Sequence, residues 1–142
     1  MKYYIMDSAG NLVPAESTGN LRPVETITAN RTLTVEDSGK TFLVGTDALV
    51  ITLPATVKGL DYMFINSGAA GNNIITITPQ GTGGIAGTIT LASSVVTRVG
   101  TVGASLVNTK ATSTLGNSIR LLGTGVVGTS SYIITSSTGI WA

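Results

Sequence analysis

The side chains that could do chemistry in this chain of 142 residues are few, because it contains no cysteine and no histidine. Thiolate nucleophiles, disulfides, Ser–His pairs and the usual zinc sites are therefore excluded. An enzyme built on this sequence would depend on carboxylates, for example on the acid pair of a glycoside hydrolase. The carboxylates are Asp7, Glu16, Glu25, Glu36, Asp37, Asp47 and Asp61.

Glu36 and Asp37 are the one adjacent pair among these carboxylates. In a strand their side chains would point to opposite faces, which is a poor geometry for a catalytic acid and its nucleophile. Asp37-Ser38-Gly39 has the form of the aspartic-protease motif, but one copy could act only in a homodimer. Asp, Ser and Gly are also typical turn residues. We therefore predict a turn between strands and no enzymatic activity.

The charge of the chain argues against several kinds of partner. Eight basic and seven acidic residues give a formal net charge of +1, and charged residues make up only 11% of the chain. Such a chain has no strong field to attract nucleic acid or an anionic membrane, so neither is expected as a partner. No loop carries an alternating acidic ladder for calcium, and we expect no metal and no cofactor. We find no signal sequence or membrane span and expect a soluble protein made in the cytoplasm.

The stretch from Leu43 to Pro79 shows how the backbone is organised. It contains three short apolar runs, rich in β-branched and aromatic residues, that are separated by Gly, Pro and Asn. Runs of this kind predict strands with one buried face. In the first run Leu49, Ile51 and Leu53 fall on one side and are expected to face the core. Ile51-Thr-Leu-Pro54 and Ile75-Thr-Ile-Thr-Pro79 look alike, but without a sustained period we do not assign a repeat.

Similar runs continue to the end of the chain, and no window has a helical stripe. Many short strands with turn signals predict an all-β fold, and we expect an antiparallel β-sandwich, jelly-roll-like, in a single domain. Residues 1–23 are predicted to form a small hairpin and an extended arm, and residues 24–142 the sandwich domain.

Aromatic residues leave a carbohydrate-binding module open as an alternative. Tyr62, Phe64, Tyr132 and Trp141 could stack on a sugar, but they alternate with apolar neighbours, which favours a role in the core. If a sugar site exists, we expect it at the loop tips Gly81–Gly84 or Gly123–Ser131.

Several segments resemble a known family. They are the run from Thr28 to Thr41, Ile51-Thr-Leu-Pro, Gly59-Leu-Asp-Tyr-Met-Phe-Ile-Asn, Ile75-Thr-Ile-Thr-Pro, Asn108-Thr-Lys-Ala-Thr, Ile119-Arg-Leu-Leu-Gly and the ending from Tyr132 to Trp141. This pattern is similar to that of small β-proteins of tailed bacteriophages that serve as capsid decoration (cement) proteins, and similar modules occur in fibres. The resemblance covers the chain from about Ala29 to Ala142 and contains no catalytic signature.

The resemblance implies a virion protein that binds the outer surface of the capsid as a homotrimer and bridges neighbouring capsomers. Its partners would be the major capsid protein and other copies of itself. The alternative that the resemblance leaves open is a trimeric tail-fibre or receptor-binding module. We expect shell contact from the N-terminal segment, because an extended arm has little reason to belong to the core. The candidate contact residues are Lys2, Tyr3, Tyr4, Ile5, Leu12, Pro14, Leu21 and Arg22.

Overall fold

A computed structural model of the chain describes residues 4–6, 8–14, 21–91 and 94–142. Strands dominate these residues, and one short 3₁₀ helix spans Val35–Asp37. The strands are β1 (Tyr4–Met6), β2 (Leu12–Pro14), β3 (Val24–Ile27), β4 (Arg31–Thr32), β5 (Thr41–Val44), β6 (Leu49–Thr52), β7 (Asp61–Asn66), β8 (Ile75–Thr78), β9 (Gly83–Leu91), β10 (Ser94–Arg98), β11 (Leu106–Asn108), β12 (Ser118–Gly123) and β13 (Gly128–Thr138).

Two sheets enclose one hydrophobic core. The larger sheet has seven strands in the order β10-β9-β13-β12-β7-β5-β3, and the smaller has four in the order β11-β8-β6-β4. Strands β1 and β2 form a separate two-stranded hairpin. The predicted all-β sandwich is therefore confirmed.

The strand directions differ from the predicted antiparallel pattern. From β3 to β8 the chain alternates between the two sheets, so that β3, β5 and β7 are parallel neighbours in one sheet and β4, β6 and β8 in the other. Strands β9 and β13 are also parallel. Between two neighbouring strands of one sheet, the chain runs back through a strand of the opposite sheet. The two neighbouring strands therefore run in the same direction. The prediction of antiparallel, jelly-roll-like pairing is wrong for these strands, and both sheets are mixed.

The two similar fragments, Ile51-Thr-Leu-Pro54 and Ile75-Thr-Ile-Thr-Pro79, lie side by side in the smaller sheet. Ile51 is the register partner of Ile77, and Thr52 is the partner of Thr78. The backbone amide of Leu53 continues the ladder by donating to the carbonyl of Thr78 at 2.8 Å. The two fragments are therefore equivalent stretches of neighbouring parallel strands, although the sequence has no sustained period that would identify a repeat.

The core is built from alternate residues of the strands, as the sequence analysis predicts. Leu49, Ile51 and Leu53 are buried while Val50 between them is exposed. Phe42 of β5 stacks on Phe64 of β7 with ring centroids 5.6 Å apart. Fully burying a side chain of this size contributes roughly 1.5–3 kcal/mol, so these rows supply much of the stability of the sandwich.

Candidate functional site

A cluster of four charged side chains joins the first strands of both sheets. Arg31 on β4 donates to Glu25 on β3, and its second terminal nitrogen donates to Asp37 Oδ1 at 2.9 Å. Lys40 Nζ lies 2.7 Å from Asp37 Oδ1 and 3.2 Å from Glu25 Oε2. The backbone amide of Thr34 donates to the other carboxylate oxygen of Asp37 at 3.0 Å. Both oxygens of Asp37 are therefore occupied by partners from the same chain.

The electrostatics of this cluster favour a structural role over acid–base chemistry. Burial raises the pKa of Asp37. Hydrogen bonds from Lys40 and the Thr34 amide, together with the charge of Arg31, lower it by more, so the pKa of Asp37 is below its ordinary value. Hydrogen bonds from Arg31 and then Lys40 lower the pKa of Glu25. A general acid is most effective with a pKa near the working pH, and these carboxyls are shifted away from neutrality.

The structure corrects one local prediction here. Ser38 and Gly39 form the expected turn, but Glu36 and Asp37 belong to the 3₁₀ helix and not to a strand. Glu36 is exposed whereas Asp37 is buried, so the two carboxyls occupy different environments. The start of this helix could have been predicted from the pattern Thr34-x-x-Asp37, in which the carboxylate accepts from the amide of the residue three positions earlier.

The aromatic residues considered for sugar stacking lie in the core. Tyr62, Phe64, Tyr132 and Trp141 are at most 1% exposed. The hydroxyl of Tyr62 donates to the carbonyl of Thr34 at 2.8 Å, and that of Tyr132 donates to the carbonyl of Pro54 at 2.9 Å. Burial raises the pKa of Tyr62 to about 12 and raises that of Tyr132 as well. These rings anchor loops to the core and present no face to a ligand.

The two loops proposed for a sugar site do lie beside each other. The amide of Gly128 donates to the carbonyl of Thr82 at 3.1 Å, which joins one loop to the other. The cavity there, next to Tyr132 and Ser131, has a volume of about 40 Å³. Ligand pockets usually have volumes of about 300–1,000 Å³, so this cavity is too small for a sugar ring.

A wider groove of about 350 Å³ crosses the outer face of the larger sheet. Asp61 and Arg120 lie in it as an ion pair, with Arg120 Nε and Nη2 donating to the two carboxylate oxygens at 2.8 and 2.6 Å. Hydrogen bonding by Arg120 lowers the pKa of Asp61. The residues lining the groove include one carboxyl and no aromatic ring. A glycosidase needs two carboxyls, so this lining does not supply the catalytic pair.

The predicted contact residues divide into three groups. Lys2 and Tyr3 lie outside the described residues. Tyr4 and Ile5 are in β1, and Leu12 and Pro14 are in β2. Tyr4 and Leu12 are more than half exposed. The chain then reaches the sandwich near Leu21 and Arg22.

Leu21 and Arg22 differ in their surroundings. Leu21 is 82% exposed. Arg22 lies against its own sandwich, with one terminal nitrogen 3.6 Å from the sulfur of Met63 and the other 4.0 Å from Asp61 Oδ2. Part of its side chain is therefore engaged within the chain, while Leu21 has an uncovered surface to offer a partner.

The hairpin presents an uncovered apolar face. Tyr4 and Met6 lie two residues apart on β1 and Met6 pairs with Leu12 of β2, so these three side chains share one face of the hairpin. Tyr4, Met6 and Leu12 are between 56% and 68% exposed. Among the described strands, β1 and β2 pair only with each other. A two-stranded hairpin is at best marginally stable in water, so this element is suited to packing against a partner.

A chain of buried amides ties together the end of the sandwich where β7 and β13 finish. Asn73 Nδ2 donates to Asn66 Oδ1 at 2.9 Å, and Asn66 Nδ2 donates to Asn108 Oδ1 at 3.0 Å. Asn108 Nδ2 donates to Asn117 Oδ1 at 3.2 Å and also to the carbonyl of Ile140 at 2.9 Å. Asn73 Oδ1 is buried without a hydrogen-bond partner, whereas the hydrogen bonds among the four amides connect the loops that carry them.

The part of the chain that the structure describes contains no group of three or more acidic side chains placed to hold a metal ion. In the same residues no helix is both long and apolar enough to cross a membrane. No protein-family model matches the chain, and no curated protein matches it in sequence. The assignment of a function therefore depends on the residues and geometry of this chain.

Proposed function

We propose that this chain is a structural virion protein, a capsid decoration (cement) protein of a tailed bacteriophage. In this proposal it is made in the host cytoplasm, binds the outer surface of the head as a homotrimer and bridges neighbouring copies of the major capsid protein. It takes no cofactor and performs no chemical step. The resemblance of the segments between Ala29 and Ala142 to such proteins supports the proposal.

The observation that carries the proposal is the exposed apolar hairpin that precedes the sandwich in the sequence. Its exposed apolar side chains, Tyr4, Met6 and Leu12, would lose contact with water on binding a shell. Each copy would contribute only a small apolar contact. In a trimer the second and third contacts are effectively intramolecular, so weak contacts add up to firm attachment.

Counting copies in purified virions tests the proposed function. We expect quantitative mass spectrometry to find this protein in an amount comparable with the major capsid protein, because decoration occupies equivalent sites over the whole head. A few copies per particle would instead indicate a tail or fibre module. Absence from the particle would exclude both structural roles.

Shell binding by the hairpin can be tested separately with undecorated heads. The double variant Met6→Ser, Leu12→Ser removes two exposed apolar side chains from the hairpin, and we expect it to bind heads at least about tenfold more weakly. Leu115→Ser is the matched control, because Leu115 is similarly exposed but lies on a loop of the sandwich. Equal binding by all three proteins would exclude the hairpin as the contact.

A further inference from the structure

The loops of the sandwich fall at two opposite ends. Strands β3, β5, β7, β9 and β13 of the larger sheet begin at one end, and β12 and β10 run the opposite way and finish there. We call this end the valine end, formed by residues 21–23, 33–40, 53–60, 79–82, 99–105 and 124–127. The opposite end, formed by residues 28–30, 45–48, 67–74, 109–117 and 139–142, is the asparagine end.

Exposed large apolar side chains are concentrated at the valine end. Seven of them there are between 46% and 82% exposed, whereas among the described residues of the asparagine end Leu115 alone reaches this exposure. Single exposed apolar residues are ordinary, but seven at one end against one at the other is an uneven distribution that favours the valine end as the side that meets a protein partner. The seven residues are Leu21, Val35, Val57, Val99, Val102, Val126 and Val127.

Three of the loops that carry these side chains, 53–60, 99–105 and 124–127, are held by hydrogen bonds to each other or to strands of the larger sheet. The amide of Gly59 donates to the carbonyl of Gly123 at 3.0 Å, and that of Gly103 donates to the carbonyl of Gly83 at 2.9 Å. The amide of Gly125 donates to the hydroxyl of Thr56 at 3.0 Å. The valines therefore belong to a preformed surface, which lowers the entropy cost of binding.

Two charges without an ion pair lie at the same end. Of the charged side chains that the structure describes, Glu36, Lys58 and Arg98 form no ion pair. Arg98 instead donates to the backbone carbonyls of Ile85, Ala104 and Ser105. Glu36 and Lys58 are exposed and have opposite signs. Hydrogen bonds from its own amide and from the Thr34 side chain lower the pKa of Glu36, which keeps this carboxylate charged. The valine end thus carries one positive and one negative charge outside any ion pair.

We propose that copies of this chain associate with one another through their valine ends, with Lys58 of each copy pairing with Glu36 of the next. The occupant is a second copy because the same surface supplies both the apolar side chains and both signs of charge. A cyclic arrangement satisfies every such pair, since each copy contributes one charge to each neighbour. This inference deepens the proposed function by naming the surface through which the proposed trimer forms.

The apolar part of the contact is tested by sedimentation analysis of the full chain over a concentration series. We expect the wild type to associate and the variant Val126→Ser, Val127→Ser to raise the dissociation constant at least about tenfold. Leu115→Ser is the matched control at the asparagine end and should leave association unchanged. Both valines are mostly exposed, so the variant should keep the wild-type unfolding midpoint.

The charge pairing has its own test. Lys58→Glu and Glu36→Lys should each weaken association, because each places like charges opposite one another, and the double variant should recover most of the loss. A wild type that stays monomeric at every concentration, or valine variants that associate like the wild type, would overturn the proposal. A double variant no better than the single ones would overturn the Lys58–Glu36 pairing.

The two proposals can fail separately. A monomeric protein present in many copies per virion would contradict the valine-end contact and the homotrimer, and would leave decoration of the head intact. A protein that associates through its valine end but is absent from virions would contradict decoration alone.

Discussion

Asp37 shows at the scale of one residue how a motif with catalytic form serves structure. Its carboxylate accepts hydrogen bonds from Arg31 of β4, from Lys40, which immediately precedes β5, and from the amide of Thr34, the N-cap of the 3₁₀ helix. Removing one partner of such a buried network leaves the others unsatisfied. The residue is therefore a structural link between the two sheets.

The pH dependence of stability follows from this arrangement. The folded pKa of Asp37 is below its usual value near 3.8, so its stabilisation is complete well above that pH and is lost as the pH falls through the folded pKa. Asp37→Asn should lower the free energy of unfolding at neutral pH by about 1–3 kcal/mol. It should also make the loss of stability in acid shallower, so that the two proteins converge at low pH.

Urea unfolding followed by the fluorescence of Trp141, which is buried and is the one tryptophan, measures this effect. Glu36→Gln removes an exposed carboxyl without an ion pair and should change stability by less than about 0.5 kcal/mol at neutral pH. An Asp37→Asn protein as stable as the wild type at neutral pH would contradict the structural role of the cluster.

The segment that follows β10 illustrates how elements hold each other at the valine end. Gly100 is buried, and a Cβ placed on it would lie 1.8 Å from the backbone carbonyl oxygen of Thr129 in β13. No side chain fits there without moving one of the two backbones. The close approach holds the loop that carries Val99 and Val102 against the larger sheet.

Gly100→Ala should therefore destabilise the protein by at least about 2 kcal/mol, because the clash is with backbone and not with a flexible side chain. Gly81→Ala is the matched control, since a Cβ there meets no atom within 4 Å and its φ is not positive. We expect it to unfold within about 0.5 kcal/mol of the wild type. Equal stability of both variants in urea would contradict the described contact between this loop and β13.

At the scale of the whole molecule, we expect the hairpin and the sandwich to be independent in stability. The hairpin strands pair only with each other among the described strands, so deleting residues 1–20 should leave the free energy of unfolding within about 1 kcal/mol of the wild type. Deletion through residue 23 should cost more, because it removes Arg22 and the carbonyl of Pro23 that accepts from the amide of Thr41 at 2.9 Å. Comparing the two truncations by urea unfolding locates the boundary of the folded unit. A large loss from the shorter deletion would show that the hairpin supports the sandwich.

The surfaces of the molecule are also distributed unevenly. The asparagine end links four buried amide side chains by hydrogen bonds, while the valine end leaves apolar side chains and two charges uncovered. A molecule with one such end has a preferred direction for contact with other proteins. That asymmetry fits an assembly protein whose outer end stays in solvent.

The sequence alone determined those features that depend on near neighbours. The alternation around Leu49, Ile51 and Leu53 predicted which side chains are buried, since side-chain direction along a strand alternates whatever the partner. The turn at Ser38–Gly39 followed from local residue preferences. The composition excluded chemistry that needs cysteine or histidine in this chain.

Only the tertiary structure decided which distant segments meet. Strand direction depends on pairing between residues far apart in sequence, and the same apolar alternation suits parallel and antiparallel neighbours. For the same reason, the sequence did not predict that the residues of the valine end lie together. Val57, Val99 and Val127 each lie within two residues of a glycine, an observable but weak signal. The alternating path of the chain is what brings their loops to one end of the sandwich.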